Sequence, residues 1–473
     1  MPRTAERNAT PDAAPSPHPE LTSGRRWAVL FSFVFGAALS ILSQTTMTAS
    51  LPSIIAEFGV SATLGQWLTT SYLLTLGVMI PCTGFLMTRF QSRHLFLACG
   101  LIFLTGLLGA FAPSFPALVA VRCVQGLGAG VLVPLMQVVV FRLFPPQRRG
   151  FAMGVAALAQ TAGPALGPVL AGVLTDAWGW RSIFLVTAGL TVALLACYPV
   201  VRAFREQPGE ASFDLPSLLL VAAGLAGVII GVANLGAPDL LLHAVVPALA
   251  GAAALVLFAR RQFSMEHPLL DLRPFSTPQF TLGVVAVMVV FGSLINVETF
   301  VCLYVQHDQG FSPTAAGLTL LPGTVLAAVI SPFTGRVLDR RGPLGLSIAG
   351  FACVIASGVL NAMVTEGSPL WYSIAVFALR CVGNACILQH LITWAVNSVP
   401  SALMTHATAI ANTLRQVGAA LMNSLLFALM GVVERGSTEL AGIKVSFAVS
   451  TALTCVMAAV TVGLMLRARA RRA

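Results

Sequence analysis

Charged residues are scarce in this chain, and that scarcity decides the class of protein. Only 9% of the 473 residues are Asp, Glu, Lys or Arg, whereas 57% are hydrophobic. The mean hydropathy is +0.87. Because a soluble domain carries about 25% charged residues, this composition excludes a soluble globular fold. The sequence therefore predicts a protein that lies within a lipid bilayer.

Several kinds of functional site are also missing. The nine cysteines all fall in apolar stretches without metal-ligand spacing, so we expect neither a metal site nor a disulfide. No Gly-x-x-x-x-Gly-Lys-Ser/Thr loop is present, which excludes ATP as the direct energy source. No cluster of His, Asp or Cys lies at one interface, and the loops are mostly under about twenty residues. These absences disfavour a lipid-modifying enzyme and a non-transporting membrane sensor, and no cofactor is expected.

Fourteen apolar stretches, each near the roughly 20 residues that a helix needs to cross a bilayer, are present. Open strands are excluded because lipid leaves their backbone groups without partners. The sequence predicts an all-α polytopic membrane protein with 14 transmembrane helices. The predicted spans are 27–49, 66–87, 94–112, 117–141, 151–174, 182–201, 215–234, 241–258, 280–304, 314–334, 344–364, 371–397, 404–432 and 443–466.

The basic residues are distributed unevenly between alternate loops. One side carries 21 Lys and Arg residues, and the other carries Arg181, Arg435 and Lys444. Such asymmetry is the positive-inside pattern, which predicts that both termini are cytoplasmic in a multi-pass protein of the cell inner (plasma) membrane. The net charge of +10 is explained by this topology, so we expect no nucleic-acid partner.

The chain contains an internal repeat. The polar segment around the junction of spans 2 and 3 contains Gly84, Arg89 and Arg93, and a similar segment occurs 251 positions later; we call each of these segments a joint. Arg122 has a counterpart in Arg380, 258 positions later. Similar offsets over three motifs predict two pseudo-symmetric six-helix bundles, the architecture from which secondary transporters are built. The predicted units are a disordered cytoplasmic tail 1–24, an N-terminal bundle 25–203, a linker 204–262 with spans 7 and 8, a C-terminal bundle 263–466 and a basic tail 467–473.

With these motifs the chain resembles the major facilitator superfamily, in its fourteen-span drug:proton antiporter branch. The residues that carry the resemblance are Arg122, Gln125, Gly126, Gly128 and Gly130 in span 4, the Gly and Pro residues of span 5, and Asn412, Thr413, Arg415, Gln416 and Gly418 in span 13. The local sequences around Gln66 and around Gln44 are similar to those of the lincomycin-efflux type of exporter. The resemblance covers about residues 27–466.

The resemblance assigns two motifs to transport. The joints are expected to gate the cytoplasmic side through ionic contacts, and the second copy matches the family pattern better because Thr88 replaces the acid in the first. The span 5 motif is assigned to exporters, where prolines bend the helix and glycines allow close helix contact. The gating residues are Gly84, Arg89, Arg93, Gly335, Asp339, Arg340 and Gly342, and the antiporter residues are Gly163, Pro164, Gly167, Pro168 and Gly172.

Four charged residues stand out inside the predicted spans, away from the span ends: Glu298, Arg122, Arg380 and Arg415. Burying such a group costs at least about 2.5–3.5 kcal/mol, so it usually has a partner or a task. Glu298 is the single intramembrane carboxylate and is predicted to couple protons or bind cargo. A solvated acid at the end of span 9 and a structural ion pair remain alternatives. By resemblance Arg122 serves a proton relay or the span 1–span 4 contact, although Ser43 replaces the usual span 1 acid.

The sequence as a whole predicts a proton-coupled exporter of lipophilic or cationic drugs that works by alternating access. Its expected partners are these small molecules, protons and the lipid bilayer, and we expect a monomer. A dedicated exporter of one endogenous metabolite or lipid is the alternative. Polar residues predicted to face the substrate cavity are Gln44, Thr48, Gln137, Asn296, Gln389 and Asn412.

Overall fold

The computed structural model of the protein describes residues 22–144, 146–204, 214–236, 239–265, 268–400 and 403–470. Nearly all of these residues are helical, and no strand occurs among them. Most of the predicted tail 1–24 and the last three residues of the basic tail lie outside the described residues.

Fourteen long helices follow one another along the chain, matching the predicted spans in order. They are α1 (Ser23–Phe58), α2 (Trp67–Arg89), α3 (Ser92–Leu104), α4 (Phe115–Leu143), α5 (Pro146–Trp178), α6 (Arg181–Ala196), α7 (Leu215–Ala233), α8 (Val246–Ser264), α9 (Pro278–His307), α10 (Pro313–Arg341), α11 (Pro343–Ala362), α12 (Leu370–Val396), α13 (Met404–Glu434) and α14 (Glu439–Ala470). Short helical turns flank them at Ala62–Gly65, Thr105–Phe111, Tyr198–Val201, Leu241–Val245 and Arg273–Ser276.

Thirteen described helices are long and apolar enough to cross a membrane by length and composition. The remaining predicted span lies in α5, which is 33 residues long. Helices α1–α6 and α9–α14 form two six-helix bundles, and α7 and α8 form the inserted hairpin. The all-α prediction with two bundles and a hairpin is therefore confirmed.

Glycine and proline set the ends of several helices. Gly179 between α5 and α6 and Gly342 between α10 and α11 have φ values of 78° and 74°, a conformation that side-chain-bearing residues rarely adopt. Proline occupies the first turn of α7, α9, α10 and α11, where its missing N–H costs nothing. These residues turn the chain back tightly, so that consecutive helices run antiparallel.

The two bundles meet along two seams. In the first seam α5 crosses α10, and glycines let the two backbones come close together. A Cβ built on Gly172 would lie 2.4 Å from the carbonyl oxygen of Pro313, and a Cβ built on Gly317 would lie 2.4 Å from the carbonyl oxygen of Pro168. In the second, α2 packs on α13. We call the end of the bundles that carries the chain termini the terminal face, and the opposite end the distal face. The α5–α10 contact lies in the distal half.

The inserted hairpin is held by small residues and covers the second seam from outside. A Cβ built on Gly227 would lie 2.8 Å from the Cα of Gly251, so α7 and α8 touch backbone to backbone. Val221 and Leu225 of α7 pack in one apolar cluster with Val417 of α13. The outer helix α8 exposes large apolar side chains such as Leu249, as expected for a lipid-facing surface.

The first turn of α7 is fixed to the end of α8 by Asp214. Its carboxylate accepts hydrogen bonds from the backbone N–H and the hydroxyl of Ser217 and from Arg261, whose Nε lies 2.9 Å from Oδ2. The Arg261 hydrogen bond has the largest effect on the pKa of the Asp214 carboxyl and lowers it. Burial opposes this, and with the smaller contributions of the Ser217 hydrogen bonds the pKa stays below its usual range.

We expect Asp214→Asn to loosen the junction of α7 and α8 while keeping the helix cap, because Asn caps helices as well as Asp does. Since the folded-state pKa of Asp214 is lowered, its stabilisation is present above the unfolded pKa near 3.9 and is lost as pH falls through the folded value. Amide hydrogen exchange of residues 215–218 should therefore be faster in the variant at pH 7, and the difference from wild type should shrink in acid. An equal difference at pH 7 and pH 3 would contradict the ion pair.

We expect Gly317→Ala to push α5 and α10 apart at the distal face, because its Cβ would meet the backbone of Pro168. Overpacking of this kind costs about 1–3 kcal/mol. The measurement is the distance between spin labels at Trp178→Cys and Phe311→Cys, with exposed Cys455 replaced by Ser. Gly189→Ala is the matched control, because a Cβ there has nothing within 4 Å. An unchanged label distance in Gly317→Ala would contradict the expectation.

Candidate transport site

Arg122 occupies the interior of the N-terminal bundle and is fully buried. Its Nη1 donates to Ser43 Oγ at 3.0 Å and to Gln125 Oε1 at 3.1 Å, Nη2 donates to the Ser43 carbonyl at 3.0 Å, and Nε donates to the Leu68 carbonyl at 3.2 Å. Its Cζ lies 4.2 Å from the centroid of the Tyr72 ring. One guanidinium thus ties α1, α2 and α4 together through neutral acceptors.

Arg380 repeats this contact in the C-terminal bundle. It donates to Ser293 of α9, as Arg122 of α4 donates to Ser43 of α1, and its second donor reaches the Val354 carbonyl at 3.4 Å. Ser293 also bonds Ser450 of α14. The fourth helix of each half therefore reaches a serine of the first helix, which is the internal repeat seen as matched contacts.

Glu298 lies about two-thirds of the way along α9 and is only 5% exposed. Among the described residues, its carboxylate has neither a hydrogen-bond donor nor an ion-pair partner. It lies near enough to the thiols of Cys302 and of Cys381 on α12 to interact with them electrostatically. The alternative of a structural ion pair therefore finds no partner among the described residues, and the small exposed fraction keeps the alternative of a solvated acid open.

The part of α9 that follows Glu298 reaches the other bundle. Gln306, two turns further along, donates to the Ala49 carbonyl of α1 at 2.9 Å. Phe291 lies two turns before Glu298, and residues seven or eight apart project from the same side of a helix. The ring of Phe291 lies under the guanidinium of Arg415 from α13, with Cζ 5.0 Å from the ring centroid.

A buried polar network joins the bundles in the distal half. Nδ2 of Asn423 on α13 donates to Gln66 Oε1 and to Thr70 Oγ1, both at 3.1 Å, and Nδ2 of Asn296 on α9 donates to Asn423 Oδ1 at 3.4 Å. All four residues are fully buried. Sequence reasoning expected Asn296 to line the cavity, whereas its amide contacts this network. The apolar sequence around Asn423 contains no pattern that predicts which residues of the other bundle it bonds.

Further distal contacts involve the antiporter motif and its neighbours. Thr45 of α1 donates to the Gly163 carbonyl at 3.2 Å, and a Cβ on Gly167 would lie 1.9 Å from the Thr45 hydroxyl. Asp176, at the end of α5, accepts a 2.8 Å bond from the Thr314 backbone N–H. The Gly and Pro residues at 163–172 thus let α5 touch α1 on one side and, through Pro168 and Gly172, α10 on the other.

The predicted gating joints lie at the terminal face. Thr88 donates only to the Gly84 carbonyl of its own helix at 3.0 Å, and Nε of Arg93 is buried without a partner among the described residues. Arg89 is exposed. In the second joint Gly342 begins the turn into α11. The side chains of Asp339 and Arg340 and the packing around Gly335 are not among the features that the structure describes.

The other predicted cavity residues are dispersed over four helices. Gln44 and Thr48 are buried on successive turns of α1, and Gln137 is partly buried on α4. Asn412, partly buried on α13, donates to the Thr408 carbonyl at 3.1 Å. The side chain of Gln389 is outside the description. The described residues contain no group of His, Cys, Asp or Glu that could hold a metal ion.

Three comparisons with known proteins bear on this arrangement. The family model described as Major Facilitator Superfamily matches residues 33–423. The chain is 35% identical over 430 residues to the uncharacterized MFS-type transporter YcnB of Bacillus subtilis, covering 89% of this chain and 91% of that one. It is 31% identical over 420 residues to the lincomycin resistance protein LmrB of Listeria monocytogenes, covering 87% and 88%.

Among solved structures, the fold is similar to a bacterial homologue of the human lysosomal transporter Spinster in an inward-facing, unoccupied conformation. The TM-score is 0.69 at 15% identity, and the alignment covers 93% of this chain and 97% of that one. At this identity the likeness concerns the fold alone. The resemblance noted from the motifs is confirmed by the family model and the lincomycin-resistance relatives. The chain is an integral membrane transport protein rather than an enzyme, and it belongs to the major facilitator superfamily.

Proposed function

We propose that this protein is a proton-coupled exporter of lipophilic or cationic small molecules that works by alternating access in the plasma membrane. The observation that carries the proposal is Glu298, a buried carboxylate without an ionic partner among the described residues, which lies two turns before the point where Gln306 of α9 bonds to the N-terminal bundle. Such a group exchanges protons readily when its surroundings change, because desolvation disfavours its charged form and water or a cation favours it.

The distribution of contacts supports one step of the cycle. The hydrogen bonds that join the bundles in the described part of the chain lie in the distal half, at Ala49–Gln306, Thr63–Phe427, Asp176–Thr314 and around Asn423. With the positive-inside assignment, both termini and the gating joints are cytoplasmic and the distal face is external. The proposed state is closed outside and takes up cargo from the cytoplasm.

The names of the relatives support the substrate class. A lincomycin resistance protein shares 31% of its aligned residues with this chain over most of both lengths. Phe291 is partly buried against an apolar cluster that includes Ile295 and Ala419, and such surroundings fit cargo that is itself mostly apolar. Export is driven by proton entry through Glu298, and no cofactor takes part.

The two joints act as the cytoplasmic gate in this proposal. Gly84, Arg89 and Arg93 form one joint, and the joint from Gly335 to Gly342 forms the other. Their cations meet helix carboxyl ends or acids when that face closes. The second joint carries the stronger ionic contact because it holds Asp339 where the first holds Thr88.

We expect Glu298→Gln to abolish proton-coupled export while leaving expression and folding intact, since the amide fills the same space but cannot exchange a proton. Drug-driven proton movement in proteoliposomes should fall at least about tenfold, corresponding to about 1.4 kcal/mol. Glu298→Asp should restore part of the activity, and Glu366→Gln, at an exposed loop position, is the control. Wild-type pH dependence of export in Glu298→Gln would overturn the assignment.

Arg122 is proposed to hold α1 against α4 rather than to relay protons, because its donors bond neutral acceptors. Lysine has three donors on one atom and cannot reproduce a planar fork that serves several acceptors. We expect Arg122→Lys to lower the melting temperature, by less than the roughly 2–4 °C per kcal/mol typical of chains of about 150–250 residues, because the shift decreases as chain length grows. Protons moved per cargo should stay unchanged in the folded fraction. Arg380→Lys serves as the comparison at the repeated position, and a folded Arg122→Lys with lost coupling would restore the relay role.

A further inference from the structure

Three arginines lie within the described membrane helices away from their ends, and they differ in how their donors are used. Arg122 makes four hydrogen bonds to protein oxygens, and Arg380 donates to Ser293 and Val354. Arg415 makes no hydrogen bond and no ion pair to a described residue, and its Nε is buried. A guanidinium is always charged and has five N–H donors, so leaving it unpaired in the membrane is expensive.

Arg415 is not extended towards the bilayer surface. It lies 11 residues into α13, about 16 Å from the start of that helix at 1.5 Å per residue. Its guanidinium stacks on the ring of Phe291, and the face of an aromatic ring attracts a cation without consuming its N–H donors. The residue as a whole is half-buried, whereas its Nε is fully buried and its guanidinium is stacked on a ring of the neighbouring helix.

The same part of α13 holds other unsatisfied polar atoms. Thr413 Oγ1 and Gln416 Oε1 are buried and have no hydrogen-bond partner in the described part of the chain. A Cβ on Gly77 of α2 would lie 3.6 Å from the Cβ of Gln416, so this turn sits where α2 and α13 meet, on the terminal side of the network around Asn423. Several unsatisfied polar atoms within one helical turn indicate a site that something else completes.

Glu298 cannot supply the missing acceptor in this state. Phe291 and Glu298 are seven residues apart on α9, which separates them by about 10 Å along the helix axis. At that distance the guanidinium of Arg415, which stacks on Phe291, and the carboxylate of Glu298 do not form an ion pair. They are two separate charged groups along α9. A planar guanidinium matches the two oxygens of a carboxylate or a phosphate in a bidentate geometry.

We propose that Arg415 binds an oxyanion of the ligand, so that lipophilic acids and zwitterions are among the molecules this protein takes up. The apolar part of such a ligand packs on Phe291 and its neighbours, while its carboxylate, phosphate or sulfonate accepts from Arg415. As a statement about exported cargo the proposal rests on the exporter function proposed above. As a statement about binding it stands independently.

The test measures binding of pyrenebutyric acid and of its methyl ester, an uncharged probe of the same shape, to the purified full-length protein in detergent at pH 7.5. We expect the acid to bind at least about tenfold more tightly than the ester, a difference of about 1.4 kcal/mol. Arg415→Gln should remove this preference and leave ester binding unchanged. Arg415→Lys should keep part of it, because the charge remains while the fork is lost.

Equal binding of acid and ester by wild type, or an unchanged ratio in folded Arg415→Gln, would overturn the proposal. If Arg415→Gln does not fold, the ratio in wild type is followed with pH, and it should fall towards one as the probe carboxyl protonates below about pH 5. A ratio that persists in acid would contradict an oxyanion site. Displacement of the probe by lysophosphatidylglycerol would assign the site to lipid phosphates as well as free acids, and its absence would confine the site to free acids.

Transport assays separate this proposal from the function. If proteoliposomes show no proton-driven movement of any probe while the acid preference and its dependence on Arg415 persist, the exporter proposal fails and the oxyanion site stands. If lipophilic cations are exported with proton coupling while acid and ester bind alike, the oxyanion site fails and the exporter proposal stands.

Discussion

A charge or hydrogen-bonding group inside the bilayer must find its partner within the protein, and this constraint organises the structure. In the N-terminal bundle Arg122 finds its partners in hydroxyl, amide and carbonyl oxygens, and in bonding them it joins three helices. The replacement of an acid by Ser43 does not leave the cation stranded, because the serine supplies both its hydroxyl and its backbone carbonyl. The result is a rigid neutral-acceptor lock in place of an ion pair.

The two halves repeat this lock but differ in what surrounds it. Ser293 of α9 is shared between Arg380 and Ser450, and the next turns of α9 carry Asn296 and Glu298. The N-terminal half has no carboxylate within its described spans away from the helix ends. The residues proposed to respond to protons or to charged cargo therefore lie in α9 and α13 of the C-terminal half.

Sequence alone predicted the features that depend on local composition. Hydropathy located all fourteen helices, and Gly and Pro at positions such as Gly342 and Pro313 marked their turns. It could not predict the contact of Asn423 with Gln66, since an amide pairing between residues 357 positions apart leaves no local pattern. For the same reason the contact of Asn296 with Asn423 and the stacking of Arg415 on Phe291 could not be predicted. Both contacts depend on the direction of a side chain, which depends on how helices pack.

The kind of contact that closes the distal half bears on how readily it opens. Across the bundles the described polar contacts are hydrogen bonds between neutral groups, with Asp176 on a backbone N–H, and they accompany apolar packing and close approaches of glycine and proline. The described ion pairs lie within one bundle or at the hairpin. A neutral hydrogen bond contributes about 0.5–1.5 kcal/mol net, whereas stripping one partner from a buried ion pair costs about 3–5 kcal/mol. Amides and hydroxyls of the Asn423 network can exchange these bonds for water as the halves separate. A distal seal made of many weak neutral contacts can therefore close specifically and still open at a cost that a proton and a ligand together supply.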